Sequence, residues 1–434
     1  MTIKPALIAA ILGSLAAGCT EPELILSGER LTVDGERPAA SSVDRALPIT
    51  LPPAVDIASW THRAGGPAHA QGHAAFSATP RLVWSTPIGQ GEGRKHHITA
   101  DPAIDAGRIF TVDSRARVMA HDLAGRRLWS ADLTPAGERT DDASGAGLAV
   151  SGGKLFVSTG FAGLAALDVA TGAELWRQDL DATATGAPTV ANDLVYVVTR
   201  DARALAIDTA DGRVRWSFTG TPSEAGVVNG AAPAIAEGYA VFPFSSTEII
   251  AALPVGGTRV WKGHVAGNRP EPTYASITDI TGDPVIKGNT VYAGNPSGRI
   301  AAFDLSSGTQ LWEAREGAMS PPLVSGGSLF AATDQAELIR LDAATGERIW
   351  SNPLPYFESP LPKRREAVYA HYGPILAGGL LWIASSDGYL RGADPVSGRI
   401  LRRLELPSGA STNPVVAGRT LYVVSQAGQL LAFR

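Results

Sequence analysis

The amino-acid sequence predicts an all-β fold, an eight-bladed β-propeller made of four-stranded antiparallel blades. The main observation is a tryptophan that recurs at intervals of roughly 40–50 residues, the spacing typical of propeller blades. In the best copies a Gly follows an Asp by four residues and a Trp follows the Gly by four, as in Asp168, Gly172 and Trp176. The expected blade-packing residues are Trp84, Trp129, Trp176, Trp216, Trp261, Trp312 and Trp350, and Arg402 stands at the equivalent place in another copy.

Each repeat contains the pattern of four strands. A short strand follows a proline, a Gly- or Asn-centred turn leads to a β-rich strand such as 194–198, and a third strand ends at the Asp before the Trp strand. The Asp can accept hydrogen bonds from nearby amides and the Gly can adopt a positive φ, so together they form the last turn. The Trp is too large to be buried by one sheet and is predicted to pack on the neighbouring blade. Arg402 is therefore predicted to mark a junction that is packed differently.

The two ends of the repeat region predict how the ring closes. Residues 81–86 form a lone Trp strand at the front, and the chain after Arg402 has three strand patterns, at 414–416, 420–425 and 429–433. The missing strand of the last blade is thus expected to be the one at 81–86. The whole propeller is predicted to span residues 81–434. Closure of this kind removes free sheet edges, which would otherwise promote aggregation.

The first 80 residues predict export and an extended connection. Lys4, an apolar run at 6–12 and small residues before Cys19 resemble the signal of bacterial lipoproteins, which predicts a signal peptide at 1–18 and a lipid on the Cys19 thiol. Ordinary secretion with an unmodified Cys19 is the alternative. Residues 19–80 are rich in Ala, Pro and Ser and are predicted to be a tether, with Trp60 as a latch on the ring.

Composition and motifs argue against several functions. A net charge of −5 over 434 residues argues against nucleic acid as the main partner. The sequence contains no phosphate-binding loop, nucleophile elbow or His-Glu-x-x-His pattern, so it predicts no catalytic residue, no metal site and no cofactor. Histidines such as His62, His69 and His73 are interpreted as solvated or packing residues.

The repeat resembles a known superfamily. The stretch 166–176, read as Ala-x-Asp-x-x-Thr-Gly-x-x-x-Trp, is similar to the repeats of pyrroloquinoline-quinone (PQQ) propellers. Within that superfamily, a lipoprotein signal, a short tether with Trp60 ahead of Gly65-Gly66, and a lone eight-bladed ring resemble the BamB family of outer-membrane protein assembly factors.

This resemblance implies a non-enzymatic scaffold lipoprotein of the outer-membrane β-barrel assembly (BAM) complex. Such a protein would be lipid-anchored in the outer membrane, face the periplasm, bind the POTRA domains of the central barrel protein (BamA-like) and aid the insertion of outer-membrane proteins.

Two loop segments, 225–233 and 275–284, match the docking region of that family. The family commonly has apolar residues and an Arg in the first loop and two Asp in the second. Here Asn229 and its neighbours provide no Arg, Asp279 keeps one acidic residue, and Thr281 stands at the second acidic place. The partner-binding residues implied by the resemblance are Val227, Val228, Asn229, Asp279 and Thr281.

Two other functions remain as alternatives. A PQQ-dependent dehydrogenase would use an adjacent Cys–Cys disulfide beside the quinone, and this chain has Cys19 as its single cysteine. A stand-alone periplasmic propeller that binds peptides along a blade edge is the other alternative. An insertion at 356–366 contains the basic triplet 363–365, which is either a solvated loop or a contact for an acidic surface or lipid headgroups.

Overall fold

The computed structural model describes residues 44–223, 226, 230–267, 269, 277 and 279–434. Within these residues the chain forms 32 strands in eight four-stranded antiparallel sheets, which confirms the predicted eight-bladed propeller. Residues 1–18 and Cys19 lie outside the described residues, as do Val227, Val228 and Asn229.

The strands follow the blades in chain order. After β1 (Leu82–Pro87), blades 1 to 4 consist of β2 (Ala103–Asp105), β3 (Arg108–Val112), β4 (Arg117–Asp122) and β5 (Arg127–Asp132); β6 (Ala146–Ser151), β7 (Lys154–Thr159), β8 (Gly163–Asp168) and β9 (Glu174–Asp179); β10 (Thr189–Ala191), β11 (Leu194–Val198), β12 (Arg203–Asp208) and β13 (Val214–Thr219); and β14 (Ala234–Ala236), β15 (Tyr239–Pro243), β16 (Glu248–Ala252) and β17 (Arg259–His264).

Blades 5 to 8 continue the same order. They consist of β18 (Gly282–Lys287), β19 (Thr290–Asn295), β20 (Arg299–Asp304) and β21 (Gln310–Ala314); β22 (Leu323–Ser325), β23 (Ser328–Ala332), β24 (Glu337–Asp342) and β25 (Arg348–Pro353); β26 (His371–Ala377), β27 (Leu380–Ser385), β28 (Tyr389–Ala393) and β29 (Ile400–Glu405); and β30 (Val415–Ala417), β31 (Thr420–Val424), β32 (Gln429–Phe433) and β1. Single 3-10 turns occur at Arg63–Gly65 and Pro362–Arg364.

Blade 8 closes the ring as the sequence predicts. Its outer strand β1 pairs antiparallel with β32, so that Trp84 lies opposite Ala432. Arg81 and Arg434 exchange two backbone hydrogen bonds of 2.9 Å next to this pair. The beginning and end of the ring are therefore joined within one sheet.

Burial depends on the position of a strand in its blade. The first strands of successive blades contact one another from β2 to β26, which places them around the centre of the ring. The third strand of a typical blade is buried on both faces, as in β8, whereas the outer strand β9 is mostly exposed or half-buried. Strands covered on both faces need apolar residues at successive positions, which explains runs such as 195–198.

The repeated tryptophans join neighbouring blades. Each indole lies beside a β-bulge between the third and fourth strands, as where Trp176 faces Ala166. The indole Nε1 then donates a hydrogen bond of 2.6–3.3 Å to a carbonyl of the following blade: Trp129 to Val169, Trp176 to Thr209, Trp216 to Pro254, Trp261 to Leu305, Trp312 to Ala343, and Trp350 to Pro395.

The glycine of each repeat has a second role in the same junction. Gly172 has a φ of +76°, and a Cβ at this position would lie 2.5 Å from the Trp129 ring. The glycine is therefore needed for the turn and also for the close approach of the indole from the preceding blade. The same contact recurs in the pairs Gly125 and Trp84, Gly212 and Trp176, Gly257 and Trp216, Gly308 and Trp261, Gly346 and Trp312, and Gly398 and Trp350.

The junction after blade 7 departs from this pattern at Arg402. The exposed Arg402 side chain donates from Nε to the Ala78 carbonyl at 3.2 Å. Nearby, Phe76 packs edge-on against Trp382, with ring centroids 5.4 Å apart. Residues preceding β1 thus provide the contact that an indole provides elsewhere.

Candidate partner-binding face and central channel

The two ends of the ring differ in the connections they carry. As far as their residues are described, the links between the outer strand of one blade and the first strand of the next lie at one end, which we call the loop face: 88–102, 133–145, 180–188, 220–233, 265–281, 315–322, 354–370 and 406–414. The Asp–Gly turns of the repeat lie at the opposite end, the turn face. Binding residues occur preferentially on loops held by a rigid scaffold, so the loop face is the candidate binding surface.

The two segments predicted to bind a partner meet on the loop face. The Ala231 amide donates to the Ile280 carbonyl at 3.2 Å. One residue further, the Ala232 amide donates to Oδ1 of Asp283 at 2.6 Å. Segments that are about fifty residues apart in sequence are therefore joined by hydrogen bonds between buried residues at this end of the ring, and Val227, Val228 and Asn229 themselves lie outside the described residues.

The predicted residues of the second segment are turned inward. Asp279 is 2% exposed and Thr281 is 5% exposed. The Thr281 hydroxyl donates to the Ala318 carbonyl at 2.6 Å, which links the start of blade 5 to the connection that follows it. Thr281 therefore has a packing role between blades, whatever else it contacts.

Arg200 is a residue of this surface that the sequence analysis missed. It lies in the turn between β11 and β12, and its Nη2 donates to the Gly226 carbonyl at 3.1 Å. A Cβ on Gly226 would overlap Nη1 of Arg200 and would lie 3.0 Å from Oδ2 of Asp279. The guanidinium and the carboxylate thus lie against the same side of Gly226. No repeat position marks Arg200 in the sequence, because turns of this kind vary from blade to blade.

The insertion predicted at 356–366 forms a β-hairpin on the loop face. Phe357 pairs with Val368 in an antiparallel bridge, and the Tyr369 amide donates to the Tyr356 carbonyl at 2.8 Å. The Arg365 guanidinium lies 4.7 Å from the centroid of the Phe357 ring. The basic residues therefore lie at the exposed tip of an ordered hairpin.

A cavity of about 400 Å³ lies beside this hairpin. Its lining is mainly apolar and includes Tyr356, Tyr369 and Met319 together with His97 and Glu92. The imidazole Nδ1 of His97 lies 3.5 Å from the Glu92 carboxylate. A mainly apolar cavity of this volume lies within the size range of small-ligand pockets.

The central channel is occupied by the chain that precedes the ring, residues 55–76, which we call the plug. The first strand of each blade has an unpaired edge facing the channel, and the plug forms backbone hydrogen bonds with the first strands of blades 1, 2, 4, 5 and 7. Trp60 exchanges two backbone hydrogen bonds with Ile104. Further bonds join the amides of Val150, Ile235 and Ile286 to the carbonyls of Thr61, Pro67 and Ala68, the amide of Ala74 to the carbonyl of Leu376, and the amide of Gly418 to the carbonyl of Ile57.

This arrangement differs from the extended tether predicted for residues 19–80. Trp60, expected as a latch, is 2% exposed and pairs with blade 1. Contacts begin as early as Asp44, whose Oδ1 accepts a hydrogen bond from the Ser351 amide at 3.1 Å, and the next amide, of Arg45, donates to the Ile349 carbonyl at 2.9 Å. Composition alone suggested a linker because the segment has no periodicity; its partners are strand edges from several blades, which no local pattern reveals. From residue 44 onward the chain belongs to the propeller.

A buried ionic cluster holds the plug in the channel. Arg63 Nε lies 3.0 Å from the Asp283 carboxylate and 3.9 Å from that of Asp101. Asp101 also accepts two hydrogen bonds, of 2.8 and 2.9 Å, from the backbone and side chain of Asn413. Burial raises the pKa of both aspartates, and the Arg63 charge opposes this effect. The cluster connects blades 1, 5 and 8 through a single plug residue.

Two plug histidines are buried rather than solvated. The Val190 amide donates to Nε2 of His62 at 3.0 Å, and Nδ1 of His69 lies 2.9 Å from the Pro284 carbonyl. Burial, with a smaller contribution from neighbouring His69, lowers the pKa of His62 to about 3. Burial likewise lowers the pKa of His69 to about 4. Both rings are therefore neutral at physiological pH.

Neither a metal centre nor a membrane-spanning helix is found in the part of the chain that the structure describes. Within those residues, no group of three or more His, Cys, Asp or Glu side chains is arranged to hold a metal ion. The same residues include no helix that is both long and apolar enough to cross a membrane.

The ring and its repeated junctions define the class of protein. Eight four-stranded blades joined by the Asp–Gly–Trp contact make this chain a propeller of the PQQ-like repeat type. The family model described as outer membrane protein assembly factor BamB matches residues 114–352, more than half of the chain. The chain belongs to that family.

Relatives named as BamB assembly factors match most of the chain. The protein from Yersinia pestis is 26% identical over 364 residues, covering 82% of this chain and 89% of the relative. Those from Shewanella oneidensis (26% identical, 82% and 90% covered) and Escherichia coli K12 (25% identical, 81% and 88% covered) match over a similar range.

Solved structures share the fold. The crystal structure of BamB from Moraxella catarrhalis superposes with a TM-score of 0.68 at 19% identity, covering 82% of this chain and all of that one. A europium-containing methanol dehydrogenase superposes with a TM-score of 0.65 at 16% identity, covering 87% and 98%. The ring is thus common to an assembly factor and an enzyme, and function has to be argued from family and surface.

Proposed function

We propose that this chain is a non-enzymatic scaffold of the outer-membrane β-barrel assembly complex that aids the insertion of outer-membrane proteins. Membership of the BamB family carries this proposal. It is supported by the loop face, where the buried segments 230–233 and 279–283 are hydrogen-bonded to each other.

The partner in this proposal is a barrel protein with POTRA domains. Val227, Val228 and Asn229 would supply contacts from the first segment, and Asp279 and Thr281 from the second. Because Asp279 and Thr281 are buried as they stand, the exposed contacts would come mainly from the first segment, supported by the second.

Co-purification from detergent-solubilised membranes tests the partner. With Val228→Asp, we expect recovery of the POTRA-bearing protein to fall by about tenfold or more, since a central interface residue often contributes ~2 kcal/mol. Arg213→Glu is the matched control, because Arg213 is 82% exposed and lies on the turn face. Equal recovery with wild type and Val228→Asp would refute the assigned surface. Recovery of peptides without any barrel protein would instead favour the stand-alone peptide-binding propeller.

The membrane attachment is a separate part of the proposal. Residues 1–18 would be removed as a signal peptide and Cys19 would carry the lipid, so that the ring faces the periplasm at the outer membrane. We expect Cys19→Ser to move the protein from the membrane fraction to the soluble periplasmic fraction. Retention of this variant in washed outer membranes would contradict the lipid anchor.

A further inference from the structure

Arg200 lies where three connections of the loop face converge. Its own turn is fixed, because the Arg200 amide donates to the Thr183 carbonyl at 2.9 Å and the Thr199 amide donates to the Arg203 carbonyl at 2.8 Å. From this base the guanidinium reaches Gly226 in the link between blades 3 and 4. The Asp279 carboxylate, from the link between blades 4 and 5, lies beside the same glycine.

The chemistry of the side chain suits this position. A guanidinium presents several donors in a rigid plane, so it can bind a carbonyl and lie next to a carboxylate at once. Gly226 has no Cβ, which leaves room for the guanidinium plane; any larger residue would overlap Nη1. Arg200 is half-buried, so part of it remains on the surface.

We propose that Arg200 is a positioning residue of the partner-binding surface. It holds Gly226, which directly precedes Val227 and Val228 in the sequence, and thereby sets the point from which the first binding segment starts. Asp279 acts with it by keeping the guanidinium against Gly226. This inference rests on the proposed function and assigns to blade 3 a part in a surface otherwise formed by the links around blade 4.

The test measures affinity of the full-length lipoprotein in detergent for the purified POTRA domains of the barrel protein from the same bacterium. We expect Arg200→Ala to weaken binding about tenfold, with Arg200→Lys intermediate because it keeps the charge but lacks the planar fork. Gly226→Ala, whose methyl group displaces the guanidinium, should weaken binding similarly. Arg213→Ala on the turn face should bind like wild type.

Additional measurements separate positioning from general stability. In the double variant Arg200→Ala/Val228→Asp, the loss of binding free energy should be smaller than the sum of the losses in the two single variants, since both act through one segment. The melting temperature of Arg200→Ala should stay close to that of wild type. If Arg200→Ala fails to fold, Gly226→Ala decides the question.

Each outcome has a distinct meaning. Unchanged affinity in Arg200→Ala or Gly226→Ala, with a loss in Val228→Asp, overturns the role of Arg200 and leaves the proposed function intact. Unchanged affinity in all three variants overturns the proposed surface itself. A loss in Arg200→Ala that is purely additive with Val228→Asp also overturns the positioning role.

Discussion

The indole junctions and the plug both join blades, but they do so in opposite ways. The junction occurs at seven of the eight blade interfaces, from Trp84 round to Trp350, and each copy lies near the rim. The plug occurs once, lies in the channel and pairs with the first strands of blades on all sides of it. A repeated contact distributes stability among equivalent sites, whereas a single central segment concentrates it.

The two regions also differ in polarity. A junction consists of an indole, a glycine and, in six copies, one hydrogen bond, so its loss affects two blades. The plug instead buries a charged cluster whose members come from distant blades. We therefore expect substitutions in the plug to destabilise the ring more than substitutions at any one junction.

The strongest test of this difference is Arg63→Ala. Removing the cation leaves Asp283 and Asp101 buried without their counter-charge, which typically costs about 3–5 kcal/mol. Urea unfolding followed by tryptophan fluorescence measures the loss. Adding Asp283→Asn should recover part of it, because the amide keeps an acceptor for Ala232 and removes one buried charge.

The matched control for Arg63 is Arg126→Ala, which removes a cation that is 80% exposed and paired with Asp122 at the surface. Its unfolding midpoint should equal that of wild type. An Arg63→Ala variant as stable as Arg126→Ala would show that the buried cluster of the plug does not stabilise the ring.

The sequence was sufficient to predict the repeated part of the fold. The period, the four strands and the closure by β1 follow from local patterns that recur, and each repetition strengthens the inference. It also predicted that the tryptophans pack across blades. It did not predict the second role of Gly172, because a close approach between blades is a tertiary contact with no local sign.

The plug could not be predicted for the same reason. Its backbone pairs with edges of strands that lie far away in sequence, so its residues need no alternation of their own. The clue was available in part: Asp101 and Asp283 precede prolines at equivalent places in blades 1 and 5, and Arg63 stands between Trp60 and the paired glycines. That these three side chains lie close together can be seen only in the folded ring, because they are far apart in the sequence. The same holds for Arg200 on the loop face.

The second test concerns a single junction. Gly172 and Gly153 have the same φ of +76°, but only Gly172 lies against an indole. Alanine at Gly153 should cost about 1 kcal/mol through backbone strain alone. Alanine at Gly172 should cost about 2–3 kcal/mol, because its methyl group also displaces the Trp129 ring. Chemical unfolding of both variants gives the difference.

This pair isolates packing from strain, since the backbone conformation is shared. Equal losses at Gly153 and Gly172 would mean that the indole moves aside freely and contributes little to the junction. If Gly172→Ala loses more unfolding free energy than Arg63→Ala, a single junction contributes more to stability than the plug cluster, contrary to our expectation.

The smallest expected effect is the pH dependence that His62 gives the plug. Its pKa falls from 6.5 in the unfolded chain to about 3 in the ring, so its contribution is complete above pH 6.5 and is lost as the pH falls towards 3. Between pH 7 and 5.5 this amounts to about 1 kcal/mol. His69, whose pKa is also lowered, adds a loss of the same sign, while the raised pKa values of Asp101 and Asp283 act in the opposite direction.

The comparison with His62→Gln isolates the contribution of His62 from those of its neighbours. Glutamine does not titrate, and its carbonyl can still accept a hydrogen bond from the Val190 amide, so this variant should lose less stability than wild type between pH 7 and 5.5. Urea midpoints at the two pH values measure the difference. Identical pH profiles would mean that the ring tolerates a proton on His62, which would require the plug to open to water at this point. Because Nε2 already receives the Val190 amide, a proton there would place two donors face to face, and the structure therefore favours the neutral ring.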